Sequence, residues 1–305
     1  MKPALFSVSY AGLWGQDTLA LPGFLVRAGR IGYPSVMLMG KRPHLSPLDA
    51  TPALLESLKQ GLAEAQVSCE VVAGYTNLTP SKAAGEVPAI EFQIAYVESL
   101  ARIASDLGAP VVRVFTAYES EGQELQSVWS RAVTALREMC DRAISFGVTL
   151  AIQNHHDLAL HTDVLLELLT DISRPNCKLG FDAWSPALRG ENLYEAARKA
   201  APFTALTTNA DYIRVPRYRY QPALVNYEKQ PTDWVRAVPF GTGFIDYGAF
   251  FQGLRDGGFD GVAVYEMCSP LRGGGALENL DRCAAAYLEW MGKNGFCQCL
   301  PGGVI

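Results

Sequence analysis

Between residues 147 and 157 the chain reads Gly147-Val148-Thr149-Leu150-Ala151-Ile152-Gln153-Asn154-His155-His156-Asp157, an apolar run that ends in amides, two imidazoles and a carboxylate. Side chains on a strand alternate between its faces, so Gln153 and His155 are expected on one face and Asn154 and His156 on the other. Amide oxygens, imidazoles and carboxylates are groups that ligate divalent cations or move protons. Two more apolar runs end in an acid: Lys178-Leu179-Gly180-Phe181-Asp182 and Val262-Ala263-Val264-Tyr265-Glu266. A carboxylate in such a setting is costly to bury unpaired, so Asp182 and Glu266 are each expected to be paired, protonated or bound to a cation. A His pair after a strand often only satisfies loop backbone. The case for chemistry rests on Gln153, His155, Asp182 and Glu266 meeting at one point, where a hard or borderline divalent cation would fit.

That meeting requires strands whose ends face the same way. Strand-like runs fall at 4–9, 35–39, 67–72, 110–115, 148–153, 177–181, 204–209 and 261–266. Amphipathic helical stretches fall at 19–28, 48–65, 89–107, 123–146, 162–172, 193–200, 247–256 and 276–291. Gly108 and Gly147 follow helical runs as left-handed stops. Asp246 reads as an N-cap, and Thr162 or Asp163 does the same for the fifth helix. Strand followed by helix, repeated with right-handed crossovers, predicts an α/β fold: a single (β/α)8 TIM barrel with a parallel eight-stranded core. The alternative, an open doubly wound sheet, lacks a Gly-rich dinucleotide fingerprint after the first strand. The barrel is expected over 1–292 with an appended tail over 293–305. Active sites of such barrels lie at the C-terminal ends of the strands.

Two connections are long, 74–88 and 211–241. In the second, Arg214, Arg217 and Arg219 alternate with Tyr212, Tyr218 and Tyr220, a mixture suited to an anionic or polyhydroxylated ligand or to a subunit interface in a homo-oligomer. Arg113, inside the fourth strand, reads as a buried structural ion. Trp14 after the first strand, and Lys41 and His44 after the second, are candidates for substrate contact. A loop-packing Trp and a surface Lys are the plainer readings.

Composition narrows the class. At 305 residues, 49% hydrophobic and 19% charged, the chain has the profile of a globular protein with material for one large core. A formal net charge of −5 with no Lys/Arg run argues against a nucleic-acid partner. No apolar stretch approaches a membrane span, and the N-terminal apolar run is too short for a signal peptide. The 7 cysteines are odd in number and mostly single within apolar segments, which predicts a reducing, cytoplasmic setting. Cys297-Gln298-Cys299 lacks a second pair at zinc spacing and is a weak metal signal.

Several blocks, in this order and spacing, resemble the xylose-isomerase-like TIM barrels of the sugar phosphate isomerase/epimerase superfamily. They are the run from Ala104 to Phe115, the run from Gly147 to His155, Leu179 to Asp182, and Val238-Pro239-Phe240-Gly241-Thr242-Gly243-Phe244-Ile245-Asp246-Tyr247 continuing to Glu266. The resemblance implies a divalent metal (manganese, magnesium, cobalt or zinc) held by a Glu, an Asp, a His and a Glu at the ends of the fifth to eighth strands. Asp182 and Glu266 match. Gln153 stands in place of the first Glu, and Thr208 in place of the His. The implied metal ligands are then Gln153, Asp182 and Glu266, with His155 as a substitute imidazole. The resemblance also places a substrate-binding arginine in the region of Arg214 and Arg217.

These departures shape the functional expectation. An amide cannot take up a proton, so Gln153 is no general base, although its oxygen can ligate a cation. Three outcomes stay open: a weaker metal site with Glu266 as sole base, a site that recruits His155, or a metal-free protein. The leading expectation is a sugar isomerase or epimerase acting on a small keto- or aldo-sugar or an oxidised derivative, with Glu266 and His155 as catalytic candidates. The alternatives are a keto-sugar lyase or dehydratase of the same fold, and a barrel that binds a sugar without turning it over.

Overall fold

The computed structural model describes residues 1–79, 86–119 and 122–298. The first seven strands are β1 (Lys2–Phe6), β2 (Ser35–Met39), β3 (Ser68–Ala73), β4 (Val111–Val114), β5 (Thr149–Gln153), β6 (Cys177–Gly180) and β7 (Thr204–Asn209). Four more, β8 (Asp211–Val215), β9 (Tyr218–Gln221), β10 (Asn226–Lys229) and β11 (Trp234–Val238), lie in the long connection after β7, and β12 (Val262–Tyr265) follows. Parallel pairing closes the sheet in the order β1-β12-β7-β6-β5-β4-β3-β2, a TIM barrel as the sequence rhythm predicts. The helices around it are α1 (Leu21–Ile31), α2 (Pro52–Glu64), α3 (Ala89–Asp106), α4 (Leu125–Ala143), α5 (Thr162–Ile172), α6 (Trp184–Arg189), α7 (Leu193–Ala200), α8 (Tyr247–Asp256) and α9 (Leu277–Lys293). Among the described residues no helix is long and apolar enough to cross a membrane.

Strand alternation sorts the core into two shells. Phe6, Met37, Val71, Ala151, Leu206 and Val264 pack together inside the barrel. Their strand neighbours Leu5, Leu38, Val72, Leu150, Ile152 and Ala263 face outward into the layer under the helices. Continued two residues further, the inner face reaches Gln153 on β5 and Thr208 on β7. The same count carries Asp182 beyond β6 and Glu266 beyond β12. This period of two is what brings the sequence-predicted acids to one end of the barrel.

Several boundaries move for identifiable reasons. The expected strand 4–9 stops at Phe6, because Ser7–Tyr10 turn into a 3-10 helix. The Ser7 and Ser9 hydroxyls then accept the backbone N–H groups of Met39 and Met267, each at 2.9 Å. Asp246 caps α8 as expected, accepting from Ala249 N–H at 2.9 Å. The cap of α5 is His161, neither Thr162 nor Asp163: its Nδ1 accepts from Asp163 N–H, while the Thr162 hydroxyl donates to Glu191 at 2.6 Å. Within the expected tail, residue 296 packs against the helices. Phe296 is buried against Trp290 and Phe251, and its carbonyl accepts from the N-terminal amine at 3.1 Å. Residues 299–305, with Cys299, lie outside the described residues, as do 80–85 in the first long connection.

The second long connection is built rather than loose. β8 pairs antiparallel with β11, and beyond them β9 pairs with β10. Its base is tied by Asp211, whose carboxylate accepts the N–H groups of Gly241 (3.0 Å), Gly243 (2.7 Å) and Tyr212 (2.9 Å). α7 and α8 approach closely at Gly253, where a Cβ would stand 2.3 Å from the Tyr194 carbonyl oxygen. Backbone cannot yield as a side chain does, so Gly253→Ala is expected to cost about 1–3 kcal/mol of stability, read from its urea midpoint against the parent chain. An unchanged midpoint would show that the two helices separate freely.

Candidate active site

Gln153, Asp182, Thr208 and Glu266 line a cavity of about 370 Å³ at the C-terminal mouth of the barrel. Its walls are largely aromatic: Phe6, Trp14, Tyr75, Phe115, Tyr118, Trp184 and Tyr212, with Arg113, His155, His156 and Cys268 among them.

Gln153 is the hub of the polar side. Its amide nitrogen donates to Asp182 Oδ2 at 2.8 Å and to Thr208 Oγ1 at 2.9 Å, tying the ends of β5, β6 and β7 together. Its Oε1 is buried with no hydrogen-bond partner. Asp182 is fixed from behind by Asn154, which exchanges two bonds with its backbone: Asp182 N–H to Asn154 Oδ1 at 2.8 Å, and Asn154 Nδ2 to the Asp182 carbonyl at 3.0 Å. Burial pushes the Asp182 carboxyl up to about 6, against the hydrogen bond from Gln153 and backbone N–H bonds from Ser185 and Trp184.

Glu266 is poorly served by comparison. Its carboxylate receives one weak donor, the Cys268 thiol at 3.6 Å, whose sulfur also meets the Tyr212 hydroxyl at 3.0 Å. Burial therefore pushes Glu266 up to about 7; the Arg113 charge draws it down and the neighbouring Asp182 raises it further. A carboxyl held near neutrality inside a cavity is the property of a proton-transfer group.

Arg113 sits between small neighbours, paired in register with Ala73 on β3 and Ala151 on β5. This leaves room for a guanidinium inside the barrel. Its Nη1 donates to the Gly74 carbonyl at 3.1 Å, and its face lies 4.0 Å from the Phe115 ring centre and 5.0 Å from that of Tyr75.

The strand face expected to carry both Gln153 and His155 ends at Gln153. His155 N–H closes a tight turn onto the Gln153 carbonyl at 2.7 Å, which breaks the alternation. The ring swings toward Phe115, 4.7 Å between centroids, and its Nδ1 accepts from His156 N–H at 2.9 Å. Burial first, and then Arg113, hold His155 down at about 4 and keep it neutral near pH 7. With Nδ1 accepting, the ring proton belongs on Nε2. His156, in a left-handed backbone at φ 70°, stacks on Tyr118 at 4.0 Å and is held at about 3, chiefly by burial.

The remaining candidates divide. Trp14 lines the cavity. Lys41 does not; its Nζ lies 4.0 Å from the centre of the Tyr75 ring, on the lining residue's flank. His44 is buried among structural partners, its Nδ1 meeting Ser7 Oγ and its Nε2 the Leu19 carbonyl, both at 3.0 Å. Arg214 and Arg217 are exposed and outside the lining, Arg214 lying over the Phe244 ring at 4.4 Å. Arg214 nonetheless shares its strand face with Tyr212 and pairs in register with Val235, both lining residues, whereas Arg217 lies beyond the end of β8. Tyr75, Phe115 and Trp184 were absent from the sequence candidates, and Tyr212 was read only within the Arg/Tyr mixture of its loop. Tyr75 and Phe115 had a signal, since each lies two residues beyond an inward position, Ala73 and Arg113.

The donor set does not suit the metal that the resemblance implies. Among the described residues no group of three or more His, Cys, Asp and Glu side chains is gathered closely enough to hold one. The amide nitrogen of Gln153 is already hydrogen-bonded to both Asp182 and Thr208. His155, the substitute imidazole, is turned onto Phe115.

A pocket at the C-terminal mouth of a closed parallel barrel fits the TIM-barrel class of fold. The sequence profile of the xylose isomerase-like TIM barrel family matches residues 25–291, and the chain belongs to that family. No curated protein matches the sequence itself. Among solved structures, the probable 3-DHS dehydratase AsbF of Bacillus anthracis superposes with a TM-score of 0.72 at 16% identity, covering 95% of this chain and 98% of that one. D-psicose 3-epimerase of Clostridium cellulolyticum H10, solved with D-tagatose, gives 0.71 at 16% identity over 95% and 98%. A xylose isomerase-like barrel protein of Mycobacterium smegmatis in complex with magnesium gives 0.67 at 15% identity over 96% of each chain.

Gln153→Glu tests the donor set directly. A third carboxylate against Asp182, 2.8 Å from the present amide, should destabilise the fold by about 3 kcal/mol without a cation, and millimolar Mn²⁺ should restore it. The parent chain's melting temperature should not respond to Mn²⁺ or EDTA. A parent that Mn²⁺ stabilises as much as the variant would show that Gln153 ligates through its oxygen.

Proposed function

We propose that this chain is an enzyme that moves a proton at the carbon beside the carbonyl of a small polyhydroxylated substrate, with Glu266 taking and returning it. The observation that carries this reading is a carboxyl pushed up to about 7 on the wall of an aromatic cavity of about 370 Å³. The aromatic walls suit the apolar faces of a sugar-sized molecule. The family membership, and neighbours that include a 3-epimerase solved with a sugar, support the substrate class.

The site favours one-sided chemistry. Inversion at carbon requires bases on opposite faces of the substrate. Gln153 has no lone-pair base to offer, Asp182 is engaged by Gln153 and backbone N–H groups, and His155 is neutral with Nδ1 occupied. A single carboxyl can instead take a proton from one carbon and return it to the next on the same face, which is isomerisation. The Thr208 hydroxyl accepts from Gln153 and so keeps its own proton to donate to a substrate oxygen, where enolate charge develops. The reaction needs water excluded, and Trp14, Trp184 and Tyr212 close the sides of the cavity.

A second reading, elimination of water from a keto-sugar, begins with the same proton removal. The carboxylic acid so formed at Glu266 would deliver that proton to the departing hydroxyl, which leaves as water.

Glu266 must be ionised to accept a proton. Its folded pKa lies near 7, so kcat/KM should rise with pH and level off above that value, with a single ionisation on the acid side. Glu266→Gln should lower kcat by about 10²–10⁴ with the fold intact. Product analysis on a panel of aldo- and keto-sugars separates isomerisation from water loss. A parent chain that binds but converts none of them would leave a binding protein.

A further inference from the structure

Arg113 is 1% exposed, yet it lines the cavity beside Glu266. Its neighbours are one backbone carbonyl, Gly74 O at 3.1 Å, and the rings of Phe115, Tyr75 and Phe6 at 4.0, 5.0 and 5.8 Å to their centres, with the Tyr75 hydroxyl also within reach of its charge. None of the ion pairs among the described residues includes it. Its Nε–H is buried without an acceptor. A guanidinium cannot shed its charge to escape burial, as a lysine or histidine can. Ring faces and one carbonyl compensate part of that charge and leave an edge of the fork unanswered.

Building on the proton-transfer reading above, we propose that Arg113 anchors a carboxylate of the substrate, which makes the substrate a hydroxylated or keto acid, such as a sugar acid, rather than a neutral sugar. The guanidinium fork matches the two coplanar oxygens of a carboxylate. A phosphate would call for more donors than this wall supplies: His155 and His156 are uncharged beside Arg113, and Lys41 lies outside the lining. The surrounding rings Phe115 and Tyr75 fit a flat group slid along them. Bound there, the carboxylate would cancel the Arg113 charge that draws Glu266 down.

Calorimetry at pH 7.5 with matched pairs tests this: D-glucuronate against D-glucose, D-galacturonate against D-galactose, and D-glucose 6-phosphate as the phosphate arm. The acids should bind about tenfold or more tighter than their neutral partners, and tighter than the phosphate. Arg113→Met should erase that preference without changing neutral-sugar binding, and Arg113→Lys, which keeps charge but loses the fork, should retain part of it. Circular dichroism establishes that each variant is folded; should Arg113→Met fail to fold, the loss in Arg113→Lys decides. Glu266→Gln, which removes a negative charge beside Arg113, should bind the acids no more weakly than the parent does, so a failure of proton transfer leaves this result intact. Neutral sugars bound as tightly, the phosphate bound tightest, a preference surviving Arg113→Met, or no binding of any acid at 10 mM, a ceiling on the order of a weak millimolar site, overturns the assignment.

Discussion

Charge at the mouth of this barrel has little water to answer it, so each ionisable group there takes its properties from its neighbours. Asp182 has an amide and backbone N–H groups and settles near 6; Glu266 has a thiol and settles near 7. Arg113 has ring faces and a single carbonyl. The histidines, placed beside that cation, stay neutral. These assignments form one coupled set, since Arg113 and Asp182 both act on Glu266 in opposite directions.

The amide of Gln153 ties together strand ends that the family resemblance expects a metal to bridge. It draws Asp182 and Thr208 together from β5, β6 and β7 through two hydrogen bonds rather than coordination. The consequence is chemical as well as structural. Burial lifts both carboxyls above their ordinary range, and a neutral bridge adds no positive charge to the pull that Arg113 exerts on Glu266. Glu266 can then be protonated and deprotonated near neutral pH.

Much of the architecture was legible in the chain. The eight barrel strands and most of the helices follow from periodicity, and Gln153, Asp182 and Glu266 stood out as polar endings of apolar runs. Two readings failed where tertiary contacts prevailed. His44 looked like a candidate and instead satisfies Ser7 and the Leu19 carbonyl. His155 was counted onto the Gln153 face, but Asn154 is pulled aside to hold the backbone of Asp182, and the turn that follows ends the alternation.

The sequence by itself determined the barrel and which residues reach its active end, because both depend on local periods: two along a strand, 3.6 along a helix, with glycines and caps between them. What it left open was how those residues are partnered. Whether Gln153 faces a cation or Asp182, whether Arg113 is answered by a carboxylate or by rings, and whether Glu266 titrates near 4 or near 7 depend on groups brought together from strands far apart in the chain. Partnership inside a closed barrel is set by which side chains meet across β3 to β12, and that is decided only when the sheet has closed.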